Sequence, residues 1–199
     1  EKHPRVAEAC DVNELKSQTS ETHWFGGGTL PCQSDCSAFD TTGCWGCGDD
    51  TITIDPLLHS DGHITPDDFT RIDGGDGFDV LKFGVNQALL TDIQMDLTAL
   101  NAHQLENIEA IDITGNTHQA NTLTLDASSV IDVTDAGNAL YVQGDGNDTV
   151  HVSDAASWTH AGASDLGGVT YDHYTGLDSL GTAVDLYVQQ HMQTNLPHP

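Results

Sequence analysis

A glycine-rich turn that closes on an aspartate and opens onto a branched residue occurs three times in this chain. No other feature restricts its folding so much. Gly74-Gly75-Asp76-Gly77-Phe78-Asp79-Val80-Leu81 is the fullest copy, and the copies ending at Asp148 and Asp50 differ by carrying Gln143 and Trp45 where the first glycine stands. Glycine lets the backbone turn tightly and point its carbonyls inward, while the aspartate adds a charged oxygen. Such an oxygen set is what a hard cation such as Ca²⁺ collects. The side chains of Asp76, Asp79, Asp145 and Asp148 are the leading candidate ligands, with Asp49 and Asp50 next. The carbonyls of Gly75, Gly77, Gly144 and Gly146 are expected beside them.

Each turn leads into apolar residues at period two, the pattern of a strand with one buried face. Asp50 precedes Ile52 and Ile54, Asp79 precedes Leu81 and Phe83, and Asp148 precedes Val150 and Val152. Glu109, Asn121 and Asn138 lead similar runs, and Ser129-Val130-Ile131-Asp132-Val133 reads as a further strand without a leading acid. Strand starts recurring every 8 to 10 residues after Leu123 predict coiling, with each strand covering the apolar side of the next. The expected fold is therefore all-β, a parallel β-solenoid or β-roll-like right-handed coil; a β-sandwich is the alternative, since it too has short, evenly spaced strands. Thr98 to Asn107 reads as a short helical insert, Ser153 to Gly168 as an irregular loop or cap, and Val169 to Val188 as two more strands.

Thirty-one acidic and five basic residues give a formal charge of −26. Self-repulsion of that size opposes a compact fold unless cations neutralise part of it, and it disfavours nucleic acid and anionic membrane as partners. No run approaches the 18 or so apolar residues of a membrane span. The first residue is Glu1, which suggests a processed product or an excised fragment.

The five cysteines all lie in residues 1–48, so this stretch is expected to form a cysteine-containing N-terminal cap. A calcium-binding domain is expected at 49–190 and a polar tail at 191–199. In an exported protein Cys32, Cys36, Cys44 and Cys47 suit disulfides, leaving Cys10 as a free or intermolecular thiol. A zinc site or a redox Cys-x-x-Cys remain alternatives for the same four. The eleven histidines are scattered without metal-ligand spacing, and no nucleophile elbow or phosphate loop is present, so no enzyme activity is expected.

The glycine–aspartate runs, taken with Asn107-Ile-Glu-Ala-Ile-Asp-Ile-Thr-Gly115, Asn121-Thr-Leu-Thr-Leu125, Trp158 and Tyr171-Asp-His-Tyr-Thr-Gly176, support a comparison with known families. Over residues 70–190 they resemble the C-terminal region of bacterial repeats-in-toxin (RTX) adhesins. The resemblance implies a secreted, extracellular or cell-surface bacterial module that folds on meeting external calcium and serves in adhesion. Because the copies here are separated rather than tandem, a few calcium ions are expected instead of a full ladder. Two other roles remain open: a self-assembling extracellular fibre subunit, with self as partner, and the calcium-binding tail of a larger secreted enzyme.

Overall fold

The computed structural model describes residues 46–54, 62–69, 71–84, 91–115 and 120–197. The early strands are β1 (Gly46–Cys47), β2 (Thr51–Ile54), β3 (His63–Ile64), β4 (Ile72–Asp73), β5 (Gly75–Asp76) and β6 (Val80–Phe83). Then come β7 (Gln94–Asp96), β8 (Leu105–Glu106), β9 (Ala110–Asp112), β10 (Thr122–Leu125) and one α-helix, α1 (Ala127–Val133). The chain closes with β11 (Ala139–Gln143), β12 (Thr149–Val152), β13 (Trp158–Leu166), β14 (Val169–Leu177), β15 (Ala183–Gln189) and β16 (Gln193–Thr194).

Two principal sheets share one core. One has five strands in the order β16-β12-β10-β7-β3 and the other seven in the order β13-β14-β15-β11-β9-β6-β2. Leu81, Phe83, Ile111, Leu140, Val142 and Leu186 from the larger sheet meet Met95, Leu123, Leu125, Val150 and Val152 from the smaller, all but excluded from solvent. The inward residues of β2, β6 and β10 sit at alternate positions, as expected from their period-two apolar pattern.

The expectation of a right-handed parallel solenoid or β-roll is corrected. The larger sheet is mixed: the ladders of β2, β6, β9, β11 and β15 are parallel, but β13 pairs antiparallel with β14 and β14 antiparallel with β15. The predominance of parallel ladders also departs from a β-sandwich, whose two sheets are antiparallel. Apart from β13, β14 and β15, strands consecutive in sequence are not neighbours in a ladder either. From β9 to β12 successive strands enter alternate sheets, and the hydrogen bonds from one turn to the next join residues 27 to 30 apart. The 10 residues from the start of β11 to the start of β12 are thus a step between sheets, whereas the paired strands β10 and β12 start 27 residues apart. Residues 1–45 of the expected N-terminal cap, with Cys10, Cys32, Cys36 and Cys44, lie outside the described residues. Cys47 is described only as backbone in β1, paired with Asp76 of β5.

Three local readings also change. Residues 129–133, expected as a strand, belong to α1, because Asp126 and Ser129 form a reciprocal capping box that starts a helix. Val130 and Val133, three apart, then face the core. The predicted helical insert shrinks to a three-residue 3-10 turn, Leu97–Ala99, capped by Asp96. The stretch expected as a loop after Ser153 holds the nine-residue β13, joined to β14 by Gly167-Gly168 at φ 61° and 84°, the left-handed pair that a tight hairpin turn requires. Val169 to Val188 supplies two strands as expected, β14 and β15.

Candidate functional site

The glycine–aspartate turns sit where the chain enters a sheet, and their acids are used first to join one turn to the next. Asp79, fully buried before β6, accepts the Asp50 N–H on Oδ1 at 2.8 Å. Its own N–H donates to Glu109 Oε2 at 2.7 Å. Asp50, Asp79 and Glu109 therefore form a column in which the side chains of Asp79 and Glu109 each reach the backbone of the preceding turn. The second column runs through Asn121 and Asp148 at the entry to the smaller sheet. Asn121 Oδ1 accepts from Ile93 N at 2.8 Å while its Nδ2 donates to the Ile113 carbonyl at 2.7 Å. Asp148 Oδ1 accepts from Asn121 N at 2.9 Å and Oδ2 from Asp145 N at 2.7 Å. Side-chain bonds of this kind, charge-assisted at Asp79, Glu109 and Asp148, satisfy backbone donors that the parallel ladders leave over at the corners.

The two best-matched turns differ at one atom. Both oxygens of Asp148 have an N–H partner, but Asp79 Oδ2 is buried with none among the described residues. In the second turn the Asp145 N–H closes back on its own aspartate. In the first, the equivalent Gly75–Asp76 segment is drawn into a parallel pair with β1, and the Asp76 carbonyl accepts from Gly48 N. Gly77 then packs so closely on the preceding turn that a Cβ would lie 2.5 Å from Gly48. Gly74 lies against the orphaned oxygen itself: a Cβ there would meet Asp79 Oδ2 at 2.8 Å and the Asn107 carbonyl at 2.0 Å.

Electrostatics follow from that burial. Burial pushes the Asp79 carboxyl above its ordinary range, against the Asp50 N–H bond and with help from the charges of Asp50, Asp49 and Asp73. Glu109 is raised by burial too, with Asp79 and Asp135 adding to it. Asp148 is pushed up to about 6, again chiefly by burial, opposed by the two N–H groups it accepts and aided by Asp145 and Asp112.

The remaining predicted ligands are not drawn into one place. Asp49 is exposed and accepts from Phe78 N at 2.9 Å; Asp145 accepts from Asn147 N at 2.8 Å. Asp76, Gly75 and Gly77 line an open cleft of ≈ 420 Å³ with Asp73, Asn107 and Asp135. Gly144 is wedged between Met192 and Asp148, and the Gly146 carbonyl accepts from Gln193 Nε2 at 3.4 Å. Asp76 and Asp79 belong to the turn entering the larger sheet, Asp145 and Asp148 to the one entering the smaller. The residues not singled out as ligands beforehand are Glu109, Asn107, Asp73 and Asp135; only Glu109 carried a signal, its place in the column of residues that lead strands.

Among the described residues no group of three or more His, Cys, Asp or Glu side chains is arranged to hold a metal ion. Nor is any helix there long and apolar enough to cross a membrane. No family model matches the chain, and no curated protein or solved structure shows detectable similarity to it.

Proposed function

We propose that this chain is a non-catalytic, calcium-stabilised structural or adhesion module of an exported protein. The observation that supports it most is the orphaned, buried Asp79 Oδ2 at the one turn that matches the full glycine–aspartate pattern. An unpartnered buried carboxylate oxygen is costly, and a bound cation or a proton removes the cost. A chain of charge −26 gains further from cation binding, since each ion relieves repulsion that the unfolded chain feels less. The reading favours the Asp79 turn over the Asp148 turn, where two N–H groups already occupy both oxygens. The Asp50 column would then be a structural support whose own N–H fixes the orientation of Asp79.

The test is thermal unfolding followed by circular dichroism in EGTA and in millimolar Ca²⁺, for the wild type and Asp79→Asn. Calcium should raise the wild-type melting temperature and leave the variant nearly unmoved. Equal shifts in both proteins would assign the effect to diffuse charge screening and remove Asp79 from the site. No shift in either would leave the turns as ordinary turns.

A further inference from the structure

The outward face of the seven-stranded sheet carries a second cluster, separate from the main core. Register sets Tyr141 of β11 opposite Tyr187 of β15, Tyr187 opposite His173 of β14, and His173 opposite Gly162 of β13. The first three rings stand parallel in a row: Tyr141 and Tyr187 are 4.2 Å apart at 7°, and Tyr187 and His173 are 4.4 Å apart at 7°. Tyr171 meets Tyr141 edge-on at 5.3 Å and donates no ring to the row, while Phe78 tilts against Tyr141 at 5.8 Å. Tyr171 is 1% exposed yet lies outside the main core cluster, so this outer cluster excludes water by itself.

The row stops short. Its next position is Gly162, at φ 123° beside a register shift, and a Cβ there would meet nothing within 4 Å among the described residues. One face of the imidazole therefore borders the open space over Gly162, a slot that no side chain of the described residues fills. The ring is held in place by Asp185, whose Oδ1 lies 2.6 Å from His173 Nε2. Asp185, on β15 at the far side of β14 from Gly162, remains 38% exposed.

We propose that this slot receives the guanidinium of an arginine presented by a protein partner. The slot calls for a flat group at ring-stacking distance, which a guanidinium supplies. Charge selects among flat groups: the chain carries −26, and Arg71 and Lys82, the basic residues in the described part, are both already paired with carboxylates. A nucleobase on its phosphate backbone is repelled, whereas a guanidinium stacks on His173 and reaches the exposed edge of Asp185.

The experiment uses the whole chain in about 150 mM salt, where diffuse attraction is screened beyond roughly 8 Å. Two fluorescent peptides identical except for three arginines or three lysines are titrated by anisotropy. The arginine peptide should bind about fivefold tighter, the advantage expected of one stacked cation at a part-exposed site. His173→Ala should reduce it to the lysine level, and Asp185→Asn, which frees the ring without removing bulk, should do the same; melting curves establish that each variant is folded. Equal binding of the two peptides by the wild type overturns the proposal. So does an arginine preference that survives in both variants. Saturable binding of dextran that His173→Ala abolishes, with no arginine preference, would make the slot a glycan site and overturn it equally.

Discussion

Replacing Asp148 with asparagine should remove a pH dependence of stability that runs opposite to the usual one for a carboxylate. The folded value of about 6 lies above the ordinary 3.8, so the folded state takes up a proton that the unfolded state does not. The wild type therefore gains stability as pH falls through 6 and loses it as pH rises. From pH 7.5 to pH 5 a single group with these two values contributes about 1.4 kcal/mol, a tenfold change in the folding equilibrium. That is about 3 to 6 °C in melting temperature for a domain of this size. Asp79 and Glu109 are raised as well and act in the same direction, so the informative quantity is the difference between wild type and Asp148→Asn. The asparagine offers one carbonyl to Asn121 N or Asp145 N and turns its amide toward the other, so the variant starts less stable by about 1 kcal/mol at neutral pH. On acidification the gap should widen, because only the wild type gains the proton. Urea unfolding at pH 7.5, 6 and 5 in EGTA measures this directly. A gap that stays constant across that range would mean that the two backbone N–H groups outweigh burial, leaving Asp148 an ordinary carboxylate.

Two further substitutions probe the corners. Asn121→Leu keeps the volume but strips partners from the buried Ile93 N–H and Ile113 carbonyl, and should cost about 3 kcal/mol in denaturant unfolding; a loss under about 0.5 kcal/mol would show that the column does not hold the turns together. Asp126→Ala removes the capping-box acceptor of α1 and should cost about 1 kcal/mol, with hydrogen exchange accelerating over 127–133 before the sheets are affected.

Much of the smaller scale was legible in the chain. Alternating apolar residues located the buried faces of β2, β6, β10, β11 and β12, because a strand with one wet face has to repeat at two. The leading column of Asp50, Asp79, Glu109, Asn121 and Asp148 was visible too, but not what it does: whether a turn acid grips a cation or a neighbouring N–H depends on what another turn brings to it. The helix α1 was missed because Val130-Ile131-Asp132-Val133 suits either period over so few residues, and the decision lay in the Asp126–Ser129 cap. The hairpin of β13 was missed because Ala161-Gly162-Ala163-Ser164 has too little apolar contrast to alternate, although Gly167-Gly168 marked its turn.

The sequence by itself determined a turn-rich β chain with acidic corners, since glycine placement and period-two alternation are local properties. Tertiary structure decided the rest. Pairing across some 27 to 30 residues chose which turns meet and gave Asp148 the Asn121 N–H, while Asp79 Oδ2 has no partner among the described residues; pairing of β11, β14 and β15 aligned Tyr141, Tyr187 and His173 into one row. Burial is what raises those carboxyls, and burial belongs to the packed whole rather than to any stretch of residues.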